Sequence, residues 1–587
     1  MDMNQIYNRM MHFLTADGGE FRLDVNEATA GAIGNVLRWV LPILALLIVG
    51  RCAYSLFSQK NEPETWAHLK FPDGSFAPIR HWENLLGRSR SADLVLNFPS
   101  ISKTHAVLSR SQDGQWRITD AGSRSGVLVD GKKISGMAPV SYGGRITMGG
   151  LDFQLVAPTR AEAIDDCQPP RRSAFTVHPL LTLVLLSAFQ FLMMLGLCVN
   201  LSEVNPFLFL FSFGGLIVLE WLYYVLMRLI RRKGFEIEYL ALFLTTLGFA
   251  ATASVNPDQL IKQLVALALG MGLFLFLGWL LRDLSRSQLM RWILSALGLL
   301  LLASSFLFAE EINGARNWLV VGGFSVQPSE FSKICFVWAG SATMDRLVRK
   351  RNLIFYILFA CACTGLLALS NDFGTAAIYF VTFVLVAFLR SGSFSAFFFS
   401  GAGAGLAAVL VLRFRPYVLN RFKAWRHVWD YADSLGYQQT RVMIYAASGG
   451  LLGLGVGLGA LKHVAAADSD LVFGMLCEEQ GLLMAGLAVF CLALLAFFSF
   501  FRAKNGRSTF YTIASCTAMG MLVFQTILNV FGAVDLLPLT GVTFPFVSNG
   551  GSSLIATWGL LAFVKAVDLR PGASFAIKEM SEKGVLE

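Results

Sequence analysis

Residues 468–473 read Asp-Ser-Asp-Leu-Val-Phe, and residues 478–481 read Glu-Glu-Gln-Gly. They belong to the stretch 413–481, the only long polar interruption in the apolar second half of the chain. A long segment between membrane spans is usually either functional or disordered rather than a mere connection. The acidic residues of this stretch are therefore the first candidates for chemistry.

The composition around this stretch is that of an integral membrane protein. Of the 587 residues, 55% are hydrophobic and only 15% are charged, whereas a soluble globular chain has about 25% charged residues. Apolar runs of about 17–25 residues predict about 13 helical spans. They lie near residues 36–57, 178–199, 206–230, 237–254, 260–281, 289–309, 328–344, 352–369, 373–389, 394–412, 481–501, 510–532 and 550–567.

Basic residues set the expected orientation. They concentrate in alternate connectors, near residues 231–233, 282–291, 346–351, 390, 502–507 and 565–570. Cytoplasmic connectors carry an excess of Lys and Arg, so we expect these connectors inside and residues 310–327, 369–373, 413–480 and 533–549 outside. The net charge of +9 then requires no nucleic-acid partner. Most of the nine cysteines fall in apolar runs and are interpreted as small buried hydrophobes.

One segment differs from the rest: residues 62–157 have short alternating apolar stretches separated by Gly, Asp and Ser. The pair Asp130-Gly131 predicts a β-hairpin. We expect an all-β sandwich inserted into a polytopic α-helical membrane protein. The expected order is 1–35 outside, 36–57 a span, 62–157 the cytoplasmic sandwich, 158–177 a linker, 178–230 two extra spans, 235–570 a ten-helix domain with the large outer loop 413–480, and 571–587 a cytoplasmic tail.

The motifs of this segment lie at residues 87–89, 93–96, 102–106, 120–126 and 129–131. In this order they resemble a forkhead-associated (FHA) domain, whose loops bind phosphothreonine peptides. The resemblance implies that Arg88, Ser102, Lys103 and Ser125 bind the phosphopeptide and that His105 packs internally. An arginine fork with hydroxyl and backbone donors suits a phosphate dianion. The family usually has Asn where Ser125 stands, so we expect weaker peptide binding; a sandwich without a phosphopeptide ligand is the alternative.

The predicted outer connectors contain further polar residues at helix starts. Pro328 suits the first position of a helix, and Glu330 and Lys333 then lie on one face, where they can form an ion pair. Charges inside a span usually face an interior cavity, although a purely structural pair is equally compatible. Asp372 is expected to cap the span near 373. The Ser- and Gly-rich turn at 548–553 can either bind an anion or cap the last span.

Several ordered motifs carry a second resemblance. They are Asn-Gly-Ala-Arg-Asn-Trp at 313–318, Gln-Pro-Ser-Glu-Phe-Ser-Lys at 327–333, Asn-Asp-Phe-Gly-Thr-Ala at 371–376, Gly-Tyr-Gln at 436–438, Ser-Gly-Gly-Leu-Leu-Gly-Leu-Gly at 448–455 and Gly-Val-Thr-Phe-Pro-Phe-Val-Ser-Asn-Gly-Gly-Ser-Ser at 541–553. With the stretch at 468–481 they resemble the SEDS family, the FtsW/RodA/SpoVE peptidoglycan polymerases, over about residues 235–570.

This resemblance implies polymerisation of lipid II at the outer face of the bacterial cytoplasmic membrane, with a class B penicillin-binding protein as partner. The family's essential loop aspartate corresponds to Asp470. A sugar hydroxyl that attacks an anomeric carbon needs a base, which Asp470 can be, and the diphosphate leaving group needs cations. The substrate-binding candidates are Arg316, Glu330, Lys333, Asp372, Arg421, Gln438 and Ser548, with Arg413 and Arg415 as further loop cations.

Two positions depart from the SEDS pattern: Asp468 stands where the family often has His, and Asn549 where it usually has Tyr. Glu478 and Glu479 are expected to cap and orient the following span. The sequence gives no certain cofactor, and a divalent cation at these two glutamates is an alternative. Two other functions stay open, a transporter of lipid-linked precursors and a non-catalytic scaffold. The sequence does not assign the protein to division, elongation or sporulation.

Overall fold

The structure of the protein is a computed structural model, in which a two-sheet sandwich is joined to a bundle of apolar helices. It describes residues 27–58, 65–89, 92–111, 114–158, 177–201, 204–312, 315–321, 324–345, 350–391, 401, 403, 405, 422–503, 506, 508–568, 570 and 573–574. Most of the span predicted at 394–412 lies outside the described residues, as do Arg413, Arg415 and Arg421.

Most of the described helices follow the predicted apolar runs, and three short ones lie in the connectors between those runs. They are α1 Glu27–Ser58, α2 Pro179–Asn200, α3 Pro206–Leu229, α4 Glu236–Val255, α5 Leu260–Leu281, α6 Leu284–Leu289, α7 Arg291–Phe308, α8 Pro328–Asp345, α9 Lys350–Leu369, α10 Phe373–Ser391, α11 Tyr437–Gly449, α12 Val472–Glu479, α13 Gly481–Ala503, α14 Thr509–Ala533 and α15 Gly551–Ala566. In the described part of the chain, ten helices are long and apolar enough to cross a membrane. The polytopic helical class is confirmed; α15 is a shorter apolar helix, and α8 is not among the ten.

The inserted segment forms the expected sandwich. Its strands are β1 Ala67–Lys70, β2 Phe76–Ile79, β3 Glu83–Gly87, β4 Leu94–Val95, β5 Ala106–Arg110, β6 Trp116–Asp120, β7 Val127–Val129, β8 Lys132–Lys133, β9 Met137–Val140, β10 Arg145–Met148 and β11 Leu151–Val156. One sheet has the order β2-β1-β11-β10-β7-β8 and the other β4-β3-β5-β6-β9. The predicted Asp130-Gly131 turn joins β7 and β8, which pair antiparallel.

Alternation along the strands explains why the two sheets pack face to face. In β6, Trp116 and Ile118 are buried while Arg117 between them is exposed. In β10, Ile146 and Met148 are buried in the same core. Because successive side chains of a strand point to opposite faces, this period of two gives each sheet one apolar face.

The helix bundle is organised around α4, whose whole span is buried inside the protein. Its first turn carries two carboxylates, and both are paired with basic residues near the C-terminal end of the chain. Arg570 lies 2.9 Å from Glu236, and Lys565 lies 2.9 Å from Glu238. Removing one partner of such a buried pair would leave an uncompensated charge, so these pairs fix one end of the bundle.

The sandwich lies at that same end. His81 Nδ1 is 2.7 Å from the carbonyl of Gly506, between α13 and α14. Trp82 packs into the helix core together with Phe57, at the end of α1. A 23-residue α13 is about 34 Å long at 1.5 Å per residue. Glu479, just before α13, is therefore at the opposite end of the bundle from the sandwich.

The connector at 310–327 is more ordered than the sequence led us to expect. It contains three antiparallel strands, β12 Glu310–Ile312, β13 Ala315–Val321 and β14 Phe324–Val326. The run Trp-Leu-Val-Val at 318–321 has the aromatic and β-branched content typical of strands. The backbone N–H of Arg316 donates to the carbonyl of Ser370, 3.1 Å away, so this small sheet rests on the α9–α10 turn.

Candidate active site

Asp470 is held in place by helix α14. The side-chain amide of Asn529 donates to the Asp470 carbonyl at 2.9 Å and to the Val542 carbonyl at 2.7 Å. Asn529 therefore ties the loop before α12 to the loop before α15. Next to the carboxylate lies Gly541, at φ 70°, where an added Cβ would be 3.3 Å from Asp470 Oδ2. A side chain at residue 541 would be strained and would crowd the carboxylate.

Ser548 positions the same loop from the other side. Its hydroxyl donates to the Ser469 carbonyl at 2.6 Å and accepts from the N–H of Phe544 at 2.7 Å. The interpretation of this turn as a cap of the last span is wrong, because α15 begins after Gly550 without a side-chain capping hydrogen bond. The physical reason is that the serine hydroxyl is already used by the loop that precedes α12.

The two residues that depart from the SEDS pattern contact each other. Asn549 Nδ2 donates to Asp468 Oδ2 at 2.7 Å, and the Asn549 N–H donates to the Asp468 carbonyl at 2.7 Å. Burial raises the pKa of Asp468 above its usual value, although the hydrogen bond from Asn549 opposes this shift. Asp468 is thus engaged with the α15 turn, two residues before Asp470.

The predicted ion pair at the start of α8 is confirmed. Lys333 Nζ lies 2.7 Å from Glu330 Oε1, and the two side chains are only 2% and 6% exposed. Lys333 Nζ also donates to Gln525 Oε1 at 2.9 Å. Gln525 lies on α14, four residues and about one turn before Asn529. The buried ammonium is therefore connected through a single helix to the residue that holds Asp470.

A chain of hydroxyl groups continues from Gln525. Gln525 Nε2 donates to Thr543 Oγ1 at 2.9 Å, and Thr543 Oγ1 is 2.8 Å from Ser553 Oγ on α15. Ser552, its neighbour, accepts from the backbone N–H of Gln327 at 3.0 Å. These contacts join α8, α14 and α15 under the loop of Asp470. Every link has normal hydrogen-bond geometry, as a buried polar network needs.

Asp372 caps α10, as the sequence predicts. Its Oδ1 accepts from the N–H of Thr375 at 3.1 Å, and its other oxygen is buried without a hydrogen-bond partner among the described residues. Burial raises the pKa of Asp372, while the positive charge of Lys333 lowers it and Glu330 raises it further. The exposed Arg316 lies beside this turn through its bond to the Ser370 carbonyl.

Gln438 lies in the first turn of α11. Its Nε2 donates to the Ala465 carbonyl at 3.1 Å, so it braces the segment that leads to Asp468 and Asp470. The structure thus brings Asp470, Ser548 and Gln438 to one loop cluster and places the Glu330–Lys333 pair below it. A substrate role for these residues stays a prediction.

Glu478 and Glu479 bind the segment before them, so the expectation that they cap the following span is wrong. Glu478 accepts from the N–H groups of residues 460 and 461 at 2.7 and 2.9 Å. Glu479 accepts from those of residues 457 and 459 at 3.0 and 3.3 Å and from Ser254 Oγ at 2.8 Å. The glycine-rich segment folds back over α12: Gly453, at φ 81°, would place a Cβ 2.2 Å from the Glu479 carbonyl oxygen.

The carboxylates of Glu478 and Glu479 therefore already accept hydrogen bonds from backbone N–H groups. Burial raises the pKa of Glu479 to about 7, although its hydrogen bonds oppose the shift. In the part of the chain that the structure describes, no group of three or more His, Cys, Asp and Glu residues is placed to hold a metal ion. This arrangement favours a structural role for the glutamates.

Sequence reasoning missed two residues that organise the site from α14, Gln525 and Asn529. It included Gly541 and Thr543 in the motif at 541–553 but assigned them no role. A usable signal existed, because Gln525 and Asn529 are polar residues four apart on one face of an apolar span. Their partners, however, are distant in the sequence. Asn529 contacts residue 470, about 60 positions away, and Gln525 contacts residue 333, about 190 positions away.

The predicted phosphopeptide residues share one end of the sandwich. The Arg88 N–H donates to the Ser102 carbonyl at 3.0 Å, and Ser102 Oγ accepts from the Arg124 N–H at 3.1 Å. Arg88, Lys103 and Ser125 are all exposed. His105 is buried, accepts from the Ser102 N–H at 3.1 Å, and has its Nε2 3.3 Å from the Gly126 carbonyl. The internal role expected for His105 is confirmed.

Comparisons with known proteins match both parts of the chain. A family model described as "Cell cycle protein", covering FtsW, RodA and SpoVE, matches residues 237–570. An FHA domain model matches residues 84–149. The first match covers the helices from α4 to α15, and the second covers the sandwich from β3 to β10.

Individual relatives are similar over the helical part. The probable peptidoglycan glycosyltransferase FtsW of Borreliella burgdorferi is 32% identical over 277 residues, which are 46% of this chain and 76% of that protein. The probable FtsW of Pseudoalteromonas translucida is 30% identical over 344 residues, 54% of this chain and 84% of that protein. A chain from a solved peptidoglycan synthase complex is 28% identical, with 56% of this chain and 95% of that chain covered and a TM-score of 0.46.

Proposed function

Because the chain belongs to the FtsW/RodA/SpoVE family, we propose that it is a peptidoglycan glycosyltransferase that polymerises lipid II into glycan strands. The observation that carries the proposal is the placement of Asp470. Its backbone is fixed by Asn529, its neighbour Ser469 is fixed by Ser548, and its carboxylate lies beside a glycine. A fixed carboxylate with space next to it is what general-base catalysis requires.

In the proposed reaction, a sugar hydroxyl attacks the anomeric carbon of a lipid-linked sugar. The new glycosidic bond forms, the bond from the anomeric carbon to the diphosphate breaks, and the hydroxyl proton passes to Asp470. Undecaprenyl diphosphate leaves with the electron pair of the broken bond. We assign the base to Asp470 because it corresponds to the essential loop aspartate of the family, and Asp468, whose carboxylate accepts the amide of Asn549, to fastening the loop.

We assign the cationic residues different roles. Arg316 is exposed beside the Asp372 turn and can contact the diphosphate of the substrate. Lys333 is buried and bonded twice, so we infer that it acts through Gln525 as a positioning residue. Asp372 and Gln438 would shape the same end of the bundle from their turns. Arg421 remains a candidate from its sequence position alone.

The orientation follows from the distribution of basic residues. We propose that the end of the bundle with Asp470 faces outward and that the sandwich, near Gly506 and Arg570, is cytoplasmic. The bacterial cytoplasmic membrane is the expected location. We further propose a class B penicillin-binding protein as the partner that cross-links the new strands, as in the family that the chain resembles. The domain limits expected from the sequence are proposed with this topology.

For the sandwich we propose recognition of a phosphothreonine protein. The guanidinium of Arg88, the ammonium of Lys103 and the hydroxyl of Ser102 can donate to a phosphate from adjacent loops, and Ser125 can contact the peptide. The five-residue strand β3 lies between Trp82 and Arg88. Trp82, at one end, packs on the helix bundle. A bound peptide would therefore lie one short strand away from the membrane helices.

The test is polymerisation of lipid II by the purified full-length protein in nanodiscs, with and without its penicillin-binding partner. Asp470→Asn should lower the rate about 10²–10⁴-fold, the usual effect of losing a general base. Asp433→Asn, at an exposed aspartate of the same loop, is the matched control and should be unchanged. Translocation of lipid II without polymerisation would favour a transporter, and glycan synthesis only by the partner would favour a scaffold.

A further inference from the structure

A cleft opens between the N-terminal helices and the turn before α12. Its walls come from α1, α2, the glycine-rich turn and the residues that join α12 to α13, and its empty volume, including the open side, is about 380 Å³. Asn200, at the end of α2, donates to the Val456 carbonyl at 2.7 Å and closes one side. α1 and α2 lie outside residues 237–570, so the family's common helices do not form this cleft alone.

The α1 wall presents one face of the helix to the cleft. Gly34, Leu37, Arg38, Leu41 and Pro42 line it, at the three- and four-residue spacing of one helical face. Arg38 makes no ion pair or hydrogen bond with any residue that the structure describes. Pro42 has no N–H for the carbonyl of Arg38, four residues earlier, so a backbone acceptor is also freed there.

The opposite wall carries acceptors. Gln480 is only 5% exposed, and its Oε1 has no hydrogen-bond partner in the described structure. Glu479 lines the same cleft. Apolar side chains, among them Met193 and Met484, complete the lining of the cleft. Leaving a buried amide oxygen such as Gln480 Oε1 without a hydrogen bond costs about 1–3 kcal/mol of free energy. A ligand that supplies a donor would therefore bind favourably here.

We propose that this cleft binds one phospholipid with a zwitterionic phosphate–ammonium headgroup, in the leaflet on the side of Asp470. The phosphate accepts from the guanidinium of Arg38, and the ammonium donates to Gln480 Oε1 and faces the carboxylate of Glu479. The acyl chains lie along Leu37, Leu41 and the two methionines. The cation Arg38 on one wall and the acceptor Gln480 Oε1 on the other match this charge pair, whereas a headgroup without an ammonium offers no positive charge to Gln480 Oε1 or to the carboxylate of Glu479.

The bound lipid would also buttress the catalytic loop. Glu479 holds the N–H groups of residues 457 and 459, and the chain continues from there to Asp468 and Asp470. A headgroup packed on Glu479 and Gln480 from the α1 side would restrict that turn. The extra N-terminal helices thus acquire a role in the membrane in addition to carrying the sandwich.

The test is native mass spectrometry of the full-length protein titrated with dioleoyl phosphatidylethanolamine. Gly34→Leu fills the cleft without a clash, since an added Cβ at Gly34 meets nothing within 4 Å. Gly50→Leu, on the same helix and equally unobstructed, is the matched control. Loss of the two or more charge-assisted contacts in Arg38→Gln should weaken binding about tenfold or more. Gly34→Leu should weaken it similarly, and Gly50→Leu should bind as the wild type does.

Two comparison ligands decide between sources of the phosphate. Dioleoyl phosphatidylglycerol and undecaprenyl phosphate are titrated in parallel, and both should bind this cleft more weakly than phosphatidylethanolamine. Equal binding of phosphatidylethanolamine by the wild type and by Gly34→Leu would overturn the proposal. So would tighter binding of phosphatidylglycerol, which indicates a simple anion site, or of undecaprenyl phosphate, which indicates a site for the polyprenyl carrier.

Discussion

The buried pair of Glu330 and Lys333 makes a quantitative prediction about folding. Lys333→Met keeps the length and apolar stem of the side chain but leaves Glu330, 4% exposed, without its cation. Breaking a buried pair in this way costs about 3–5 kcal/mol, because an uncompensated charge remains in the protein. Glu330→Gln should have a similar cost, since the buried ammonium of Lys333 then has only neutral acceptors, the amides of Gln525 and of the introduced glutamine.

The double variant Glu330→Gln/Lys333→Met should recover most of this loss. Both charges are then gone, and replacing a buried ion pair by neutral side chains is often close to neutral. Gln525 loses the Lys333 donor both in Lys333→Met and in the double variant, so the cost of this lost hydrogen bond cancels in the double-mutant cycle. The coupling free energy is the sum of the two single costs minus the cost of the double variant, so we expect at least about 4 kcal/mol between the two sites.

Unfolding of the purified protein by dodecyl sulfate in mixed micelles measures these free energies, and lipid II polymerisation is measured on the same samples. If Lys333 affects the site only through the stability of the buried pair, the double variant should polymerise within about tenfold of the wild-type rate. A Lys333→Met variant within about 1 kcal/mol of the wild type would refute the reasoning about the buried pair. A double variant that is stable but as inactive as Lys333→Met would instead show that the site needs the ammonium itself, either as the donor to Gln525 or in contact with the substrate.

Three further predictions test the site, the topology and the sandwich. Asn529→Ala removes the amide that holds Asp470 and should lower the polymerisation rate without changing the apparent KM for lipid II, whereas Asn529→Gln, which keeps an amide, should lower it less; equal rates for both would argue against positioning. In a cysteine-free background, Ser434→Cys should be labelled by a membrane-impermeant maleimide in intact cells, and Met137→Cys, which is 61% exposed as Met, only after lysis; labelling of residue 137 in intact cells would reverse the orientation. The isolated 62–157 fragment should bind phosphothreonine peptides above unphosphorylated controls, and Arg88→Ala should abolish this binding with the circular dichroism spectrum unchanged; binding insensitive to Arg88→Ala would leave a phosphate-independent docking domain.

Local sequence patterns were sufficient to predict the helices, the strands and the contacts between residues close together in the sequence. The three-residue spacing of Glu330 and Lys333, the cap at Asp372 and the turn at Asp130-Gly131 are each decided within one turn of backbone. Their geometry follows from helix or hairpin dimensions alone. The sequence could therefore predict them without knowledge of the tertiary fold.

Contacts across the bundle could not be predicted in this way. Glu478 and Glu479 precede a span, and capping is the local use of a carboxylate there, yet the glycine turn offers them N–H groups from residues 457–461. The turn can come this close because Gly453 has no side chain. Likewise, Asn529 in an apolar span signals a polar contact, but only the packing of α14 against the loops shows that the contact is Asp470.

The pairing of Asp468 with Asn549 gives the departures from the family pattern a common physical cause. The two residues are 81 positions apart, yet they share a side-chain and a backbone hydrogen bond, both of 2.7 Å. Burial raises the pKa of Asp468, so its carboxylate depends on the donor that Asn549 supplies. A tyrosine at residue 549 would supply a longer side chain with a hydroxyl donor, and a histidine at 468 would need a different partner geometry. Replacing only Asn549 or only Asp468 is unfavourable, because the residue that stays would keep a polar group without its partner beside Asp470. In this chain the two residues therefore act as one fastening between the loop of Asp470 and the turn before α15.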